Sequence, residues 1–197
     1  MSKMQKRNKL IFHSSIIIFV ILFLDIVTKY LVHLNIYPYE TISIIDNFLS
    51  IVYTKNTGSA FSFLSNSPVW FGKPFFIIVP LSAMILIVFL IRNAVKEGKE
   101  NKLHVYAFSM IVGGALGNFI NRITTGSVVD FIQFKITSTY YWPSFNVADI
   151  GITIGVAILF MEMIYVDQNQ KKQKLALENT KKKTKTKKKE PSKKYKK

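Results

Sequence analysis

No cysteine occurs in the 197 residues, so disulfides, thiolate metal sites and thiol nucleophiles are all excluded. The three histidines, His13, His33 and His104, are scattered along the chain with no metal-ligand spacing. Neither a Gly-x-Ser-x-Gly elbow nor a glycine-rich phosphate loop is present. No internal repeat is visible, which counts against the repeat-built transporters. Acids are also scarce: 11 Asp and Glu stand against 27 Lys and Arg, a formal net charge of +16.

What is abundant is apolar surface, at 49% of residues. In a soluble protein that would conflict with so much charge. The two agree if apolar residues fill contiguous spans and the charges lie between them. A membrane helix needs roughly 20 mostly apolar residues. Stretches at 10–32, 74–91, 103–120 and 147–166 meet or approach that length. The first follows Lys3, Lys6, Arg7 and Lys9 like a secretory signal, but it is long and no small-residue cleavage site follows it, so it is expected to remain. The expected fold is an all-α membrane protein of four transmembrane helices with a small extracytoplasmic β-sheet and loop region.

Basic residues set the expected orientation. The N-terminus holds four, the 92–104 connection four and the segment after residue 166 another 14, together 22 of the 27. With four spans all three lie on one side, which makes both termini cytoplasmic and the 33–73 and 121–146 connections external. Residues 167–197 carry 14 lysines against Asp167, Glu178 and Glu190, a net of +11. Nucleic acid is one partner for such a segment. With no aromatic platform or basic fold beside it, a disordered cytoplasmic tail drawn to anionic lipid is the better reading. The domain division is therefore 1–166 and 167–197.

The external connections have content. Residues 41–63 mix Ile42, Ile44, Ile51, Val52 and Tyr53 with turn formers, and 128–136 reads likewise, so short strands are expected there. Tyr140, Tyr141 and Trp142 have the composition of an interfacial aromatic belt.

Ionisable and amide groups within or beside spans carry the functional signal. Asp25 and Lys29 are four apart on one helix face, as a structural ion pair or as part of a site. Gly113 and Gly117 allow close helix approach, with Asn118 and Arg122 one turn apart beyond them. Asp130 sits among apolar neighbours in Val128-Val129-Asp130-Phe131-Ile132, and Asp149 opens the fourth span. An acid at a helix start is often only a cap. Both acids, however, fall at the same external interface in apolar settings. Two carboxylates held close cannot both ionise, so one can activate water while the other polarises a carbonyl. That is metal-free, cofactor-free aspartic peptide hydrolysis.

These residues resemble the bacterial lipoprotein signal peptidase (signal peptidase II) family. Asp25-Ile26-Val27-Thr28-Lys29 is similar to its first-helix Asp-x-x-(Thr/Ser)-Lys, and Asn56-Thr57-Gly58-Ser59-Ala60-Phe61-Ser62 to its Asn-Thr-Gly-Ala-Ala-Phe-Ser loop. Gly113-Gly114-Ala115-Leu116-Gly117-Asn118 with Arg122 resembles its third helix; Val129-Asp130-Phe131 and Phe145-Asn146-Val147-Ala148-Asp149 resemble its two aspartate blocks. The resemblance implies catalysis by Asp130 and Asp149, with Asn56, Gly58, Asn118, Arg122 and Asn146 supporting substrate or dyad. Asp25, Lys29 and Gly114 are then structural or site-supporting. It further implies cleavage of prolipoproteins before a diacylglyceryl-modified cysteine, in the bacterial cytoplasmic membrane; a monomer that needs no cofactor and binds no nucleic acid is expected. Asn121 stands where the family usually has Asp, so any charge-dependent role there is in doubt. A transporter using the buried acids, or a scaffold whose acids only cap helices, are the competing readings.

Overall fold

In the computed structural model, residues 2–38, 40–57, 69–97 and 102–189 are described. Four helices and three strands follow in the order α1 (Lys3–Asn35), β1 (Thr41–Ile45), β2 (Leu49–Asn56), α2 (Val69–Glu97), α3 (Lys102–Thr125), β3 (Val128–Phe134) and α4 (Val147–Lys189). Two compact units divide the chain, Met1–Ile158 and Leu159–Lys197.

α1 begins with a reciprocal cap. The Ser2 hydroxyl accepts from the Gln5 amide and the Gln5 side chain accepts from the Ser2 amide, which satisfies two of the free N–H groups at the helix start. Its outward face shows Phe12, Phe19 and Phe23, more than half exposed, an apolar patch that suits lipid and not water. Met4–Asn35, Lys102–Thr125 and Val147–Lys172 are each long and apolar enough to cross a membrane, and α2 contributes a shorter apolar stretch, Ile77–Asn93. The chain is a multi-pass membrane protein.

α3 outruns its expected end by five residues, to Thr125. It stops at Gly126, whose φ of 74° lies in the left-handed region and whose amide donates to the Arg122 carbonyl. Arg122 is therefore in the last helical turn. α4 also departs from expectation. Residues past 166, expected to be disordered, continue as helix to Lys189. Lys, Gln, Glu, Ala and Leu there are strong helix formers, and Lys171 and Asp167 form an exposed i,i+4 pair at 2.7 Å.

The strands form one antiparallel sheet in the order β1-β2-β3. Asn47, with φ 59°, turns the β1–β2 connection. Tyr53, Val129 and Phe131 from the sheet pack with Val32 and Ile36 from the end of α1. The Tyr53 hydroxyl also lies 2.9 Å from His33 Nδ1. This cluster fixes the sheet against the helix end nearest Asp25 and Lys29. Tyr140, Tyr141 and Trp142 are each about half exposed.

Candidate active site

Asp130 lies in mid-strand on β3, paired with Thr54 of β2 across a register shift between Ile51 and Thr54. Asn56, two residues further along β2, reaches diagonally and donates from Nδ2 to Asp130 Oδ2 at 3.0 Å. Asp130 is buried.

Asp149 is at the third position of α4, and Asn146 is the residue before that helix. They cap each other. Asn146 Oδ1 accepts from the Asp149 amide at 3.0 Å, and Asp149 Oδ2 accepts from the Asn146 amide at 3.2 Å. The capping expectation for Asp149 therefore holds, and the cap leads straight into the site. Asn146, fully buried, donates from Nδ2 to Asp130 Oδ1 at 2.6 Å. One asparagine thus holds both acids, 19 residues apart in the chain.

Asn118 of α3 adds a second link. Its Nδ2 donates to Asp149 Oδ1 at 2.8 Å, while its Oδ1 accepts from Asn146 Nδ2 at 3.2 Å and from Lys29 Nζ at 3.0 Å. An ammonium can only donate, so Lys29 sets which end of the Asn118 amide faces Asp149. Lys29 is neutralised in turn by Asp25 Oδ2 at 2.7 Å, and Asp25 Oδ1 accepts from the Ala148 amide at 2.9 Å. The Asp25–Lys29 pair is an ion pair, and it is linked through Asn118 to Asp149.

Small residues make room for this arrangement. A Cβ on Gly117 would overlap the Asp25 carboxylate, and one on Gly114 would overlap the Ala148 carbonyl. Gly117 was expected only to ease helix packing, and its place beside Asp25 is not visible from spacing. Gly113, against Ile18 and Ile21, fits the packing reading. Asn121 Oδ1 accepts from the Val129 amide at 3.4 Å. That contact requires an oxygen acceptor, which Asp and Asn both supply, so the departure at Asn121 leaves it intact. Gly58 lies outside the described residues, as does the loop after Thr57.

The electrostatics follow from burial. Desolvation raises the Asp130 carboxyl from its ordinary 3.8 to about 6, and the nearby charge of Asp149 pushes the same way; hydrogen bonds from Asn56 and Asn146 and the charge of Lys29 oppose it. Arg122, half-buried, is held within electrostatic reach of both acids. The described residues contain no cluster of three or more His, Cys, Asp or Glu suited to a metal. The arrangement favours a proton on the Asp130 carboxyl beyond the pH at which an exposed aspartate loses it.

A family profile described as signal peptidase (SPase) II matches residues 17–165. The lipoprotein signal peptidase of Geobacter metallireducens is 41% identical over 158 residues, covering 80% of this chain and 94% of its own. That of Syntrophus aciditrophicus is 40% identical over 154 residues, covering 78% and 91%. Among solved structures, a bacterial membrane enzyme determined by the in meso method at 2.3 Å resolution superposes with TM-score 0.68 at 33% identity, covering 80% of this chain and 90% of that one.

Proposed function

The chain belongs to the signal peptidase II family, and from that premise we propose that Asp130 and Asp149 are its catalytic pair. The enzyme is a peptidase of the aspartic type and removes signal peptides from prolipoproteins. The bond cut is the one preceding the diacylglyceryl-modified cysteine. The observation that carries the catalytic assignment is Asn146, which donates to Asp130 from its side chain and to Asp149 from its backbone.

In this mechanism Asp130 carries the shared proton, in keeping with its raised pKa. Asp149 is the charged partner, at a helix N-terminus and accepting from Asn118 and the Asn146 amide. Asp149 takes a proton from water, and the water oxygen attacks the scissile carbonyl carbon. Asp130 gives its proton to the carbonyl oxygen. The tetrahedral intermediate collapses with cleavage of the C–N bond: a hydroxyl proton of the intermediate returns to Asp130 as the C=O bond re-forms, and the proton held by Asp149 passes to the leaving amine. One shared proton also balances the site: Lys29 and Arg122 stand against Asp25 and a singly charged dyad.

The finer topology belongs to the same proposal. Four spans, with the 77–93 stretch the shortest, leave both termini cytoplasmic and put the acids at the outer leaflet of the bacterial inner membrane, where a lipid-modified cysteine lies. The distribution of basic residues supports this. Residues 1–166 form the protease, which acts as a monomer, and 167–197 a basic tail lying on acidic lipid.

The test is cleavage of a diacylglyceryl-modified precursor by purified protein in detergent, wild type beside Asp130→Asn and Asp149→Asn. Each substitution is expected to cut turnover by at least about 10²–10⁴-fold with folding intact. Turnover surviving either one would refute the dyad.

A further inference from the structure

At the opposite end of the bundle from the acids, residues of α1, α2 and α3 line an open cavity of about 600 Å³. Arg7 at its mouth precedes Asp25 by 18 residues of helix, about 27 Å along the axis, so the cavity is no part of the site above. The volume is within the range of small-molecule sites, roughly 300–1,000 Å³.

Its walls are mostly hydrocarbon, with Ile11 and Ile18 from α1, Val88 and Ile91 from α2 and Val105 from α3, and Asn8 of α1 among them. Three serines also line it, and each has its hydroxyl proton already committed. Ser14, Ser15 and Ser109 donate to the carbonyls of Leu10, Ile11 and Val105 at 2.9, 3.1 and 2.7 Å, each on its own helix. The only charged groups lining it are the guanidiniums of Arg7 and Arg92, both exposed, and no acid lines it among the described residues. An extended peptide would bring a run of backbone donors and acceptors, more than one asparagine and three serine oxygens can satisfy. An acyl chain brings none, and a phosphate matches a pair of arginines.

We propose that this cavity is a binding site for one acidic phospholipid, an acyl chain lying between α1 and α2 and its phosphate held by Arg7 and Arg92. In the topology above, the lipid comes from the cytoplasmic leaflet. The site depends on the membrane assignment but not on the peptidase reading.

The test uses full-length protein in uncharged detergent and reads retained phosphatidylglycerol against phosphatidylcholine of the same acyl chains by native mass spectrometry. Wild type is expected to hold the acidic lipid about thirtyfold more strongly, two basic side chains acting together. Arg7→Gln with Arg92→Gln abolishes that preference, and Val88→Trp, which fills the groove, loses both lipids. Equal retention by wild type, or a preference that survives loss of both arginines, overturns the proposal. Free glycerol phosphate competing as well as intact lipid overturns the acyl-chain half. Because the chain has no native cysteine, Val88→Cys offers a unique thiol for a photo-crosslinker, which decides the question even if Val88→Trp misfolds. A phospholipid adduct supports the site; an adduct to a peptide or to a second copy of the chain overturns it.

Discussion

Replacing Lys29 with Met tests the network at its most buried charge. Lys29 is 4% exposed and Asp25 fully buried, with 2.7 Å between them. The substitution leaves the Asp25 carboxylate with the Ala148 amide as its remaining partner and removes the Lys29 donor from Asn118. Breaking a buried pair from one side costs about 3–5 kcal/mol, because a desolvated charge is left uncompensated. Against a total stability of about 5–15 kcal/mol, that is a large fraction. Asp25→Asn combined with Lys29→Met removes both charges, keeps an acceptor for the Ala148 amide, and is expected to recover about 2 kcal/mol of the single-variant loss. Turnover behaves differently. The double variant still lacks the ammonium that orients Asn118 toward Asp149, so stability returns while kcat remains low. Denaturant unfolding in detergent reads the first quantity and cleavage of lipid-modified precursor the second. A Lys29→Met loss below about 1 kcal/mol, unchanged in the double variant, would refute the argument for a buried pair. Recovery of kcat along with stability would refute the positioning role.

The raised Asp130 pKa sets a pH dependence. Its folded value of about 6 exceeds the ordinary 3.8, so the stability it contributes is fully present below about pH 3.8 and is lost as pH rises through 6. If Asp130 supplies the proton, kcat/KM in the free enzyme falls above about pH 6, and Asn56→Ala, which removes a bond that lowers this pKa, moves the limb upward. A pH–rate profile whose limb shifts downward instead would be inconsistent with this. Gly117→Ala and Gly114→Ala drive a methyl into the Asp25 carboxylate and the Ala148 backbone, each expected to cost about 1–3 kcal/mol or more. Gly126→Ala meets open space and costs only the left-handed backbone term, about 1–2 kcal/mol, and unlike the other two it leaves kcat unchanged. Asn121→Asp preserves the acceptor for the Val129 amide, so turnover and unfolding midpoint are both expected to match wild type; a tenfold change in kcat would assign the position a charge-dependent role.

Much of this protein could be read without coordinates, because its chemistry is written in runs and in composition. Apolar stretches of membrane-spanning length announce helices whatever packs beside them, since a backbone in hydrocarbon has to satisfy its own hydrogen bonds. The β-branched and aromatic residues around Ile42–Ile44 and Val128–Phe131 marked the strands, and Asp130 and Asp149 stood out as acids in apolar settings. The α4 extension to Lys189 was obscured because a net charge suited to disorder coincided with strong helix formers. Other features depend on distances between residues far apart in the chain. Nothing at Asn146 reveals that its side chain holds one acid and its backbone amide the other, and nothing at Gly117 reveals that a carboxylate from position 25 occupies the space of its missing side chain. Periodicity shows which face a residue is on; only the packing of α1, α3, β3 and α4 decided what that face meets. The acids were determined by the sequence, but their meeting at Asn146 was decided by the tertiary structure, because 19 residues of chain separate them and only packing closes that gap.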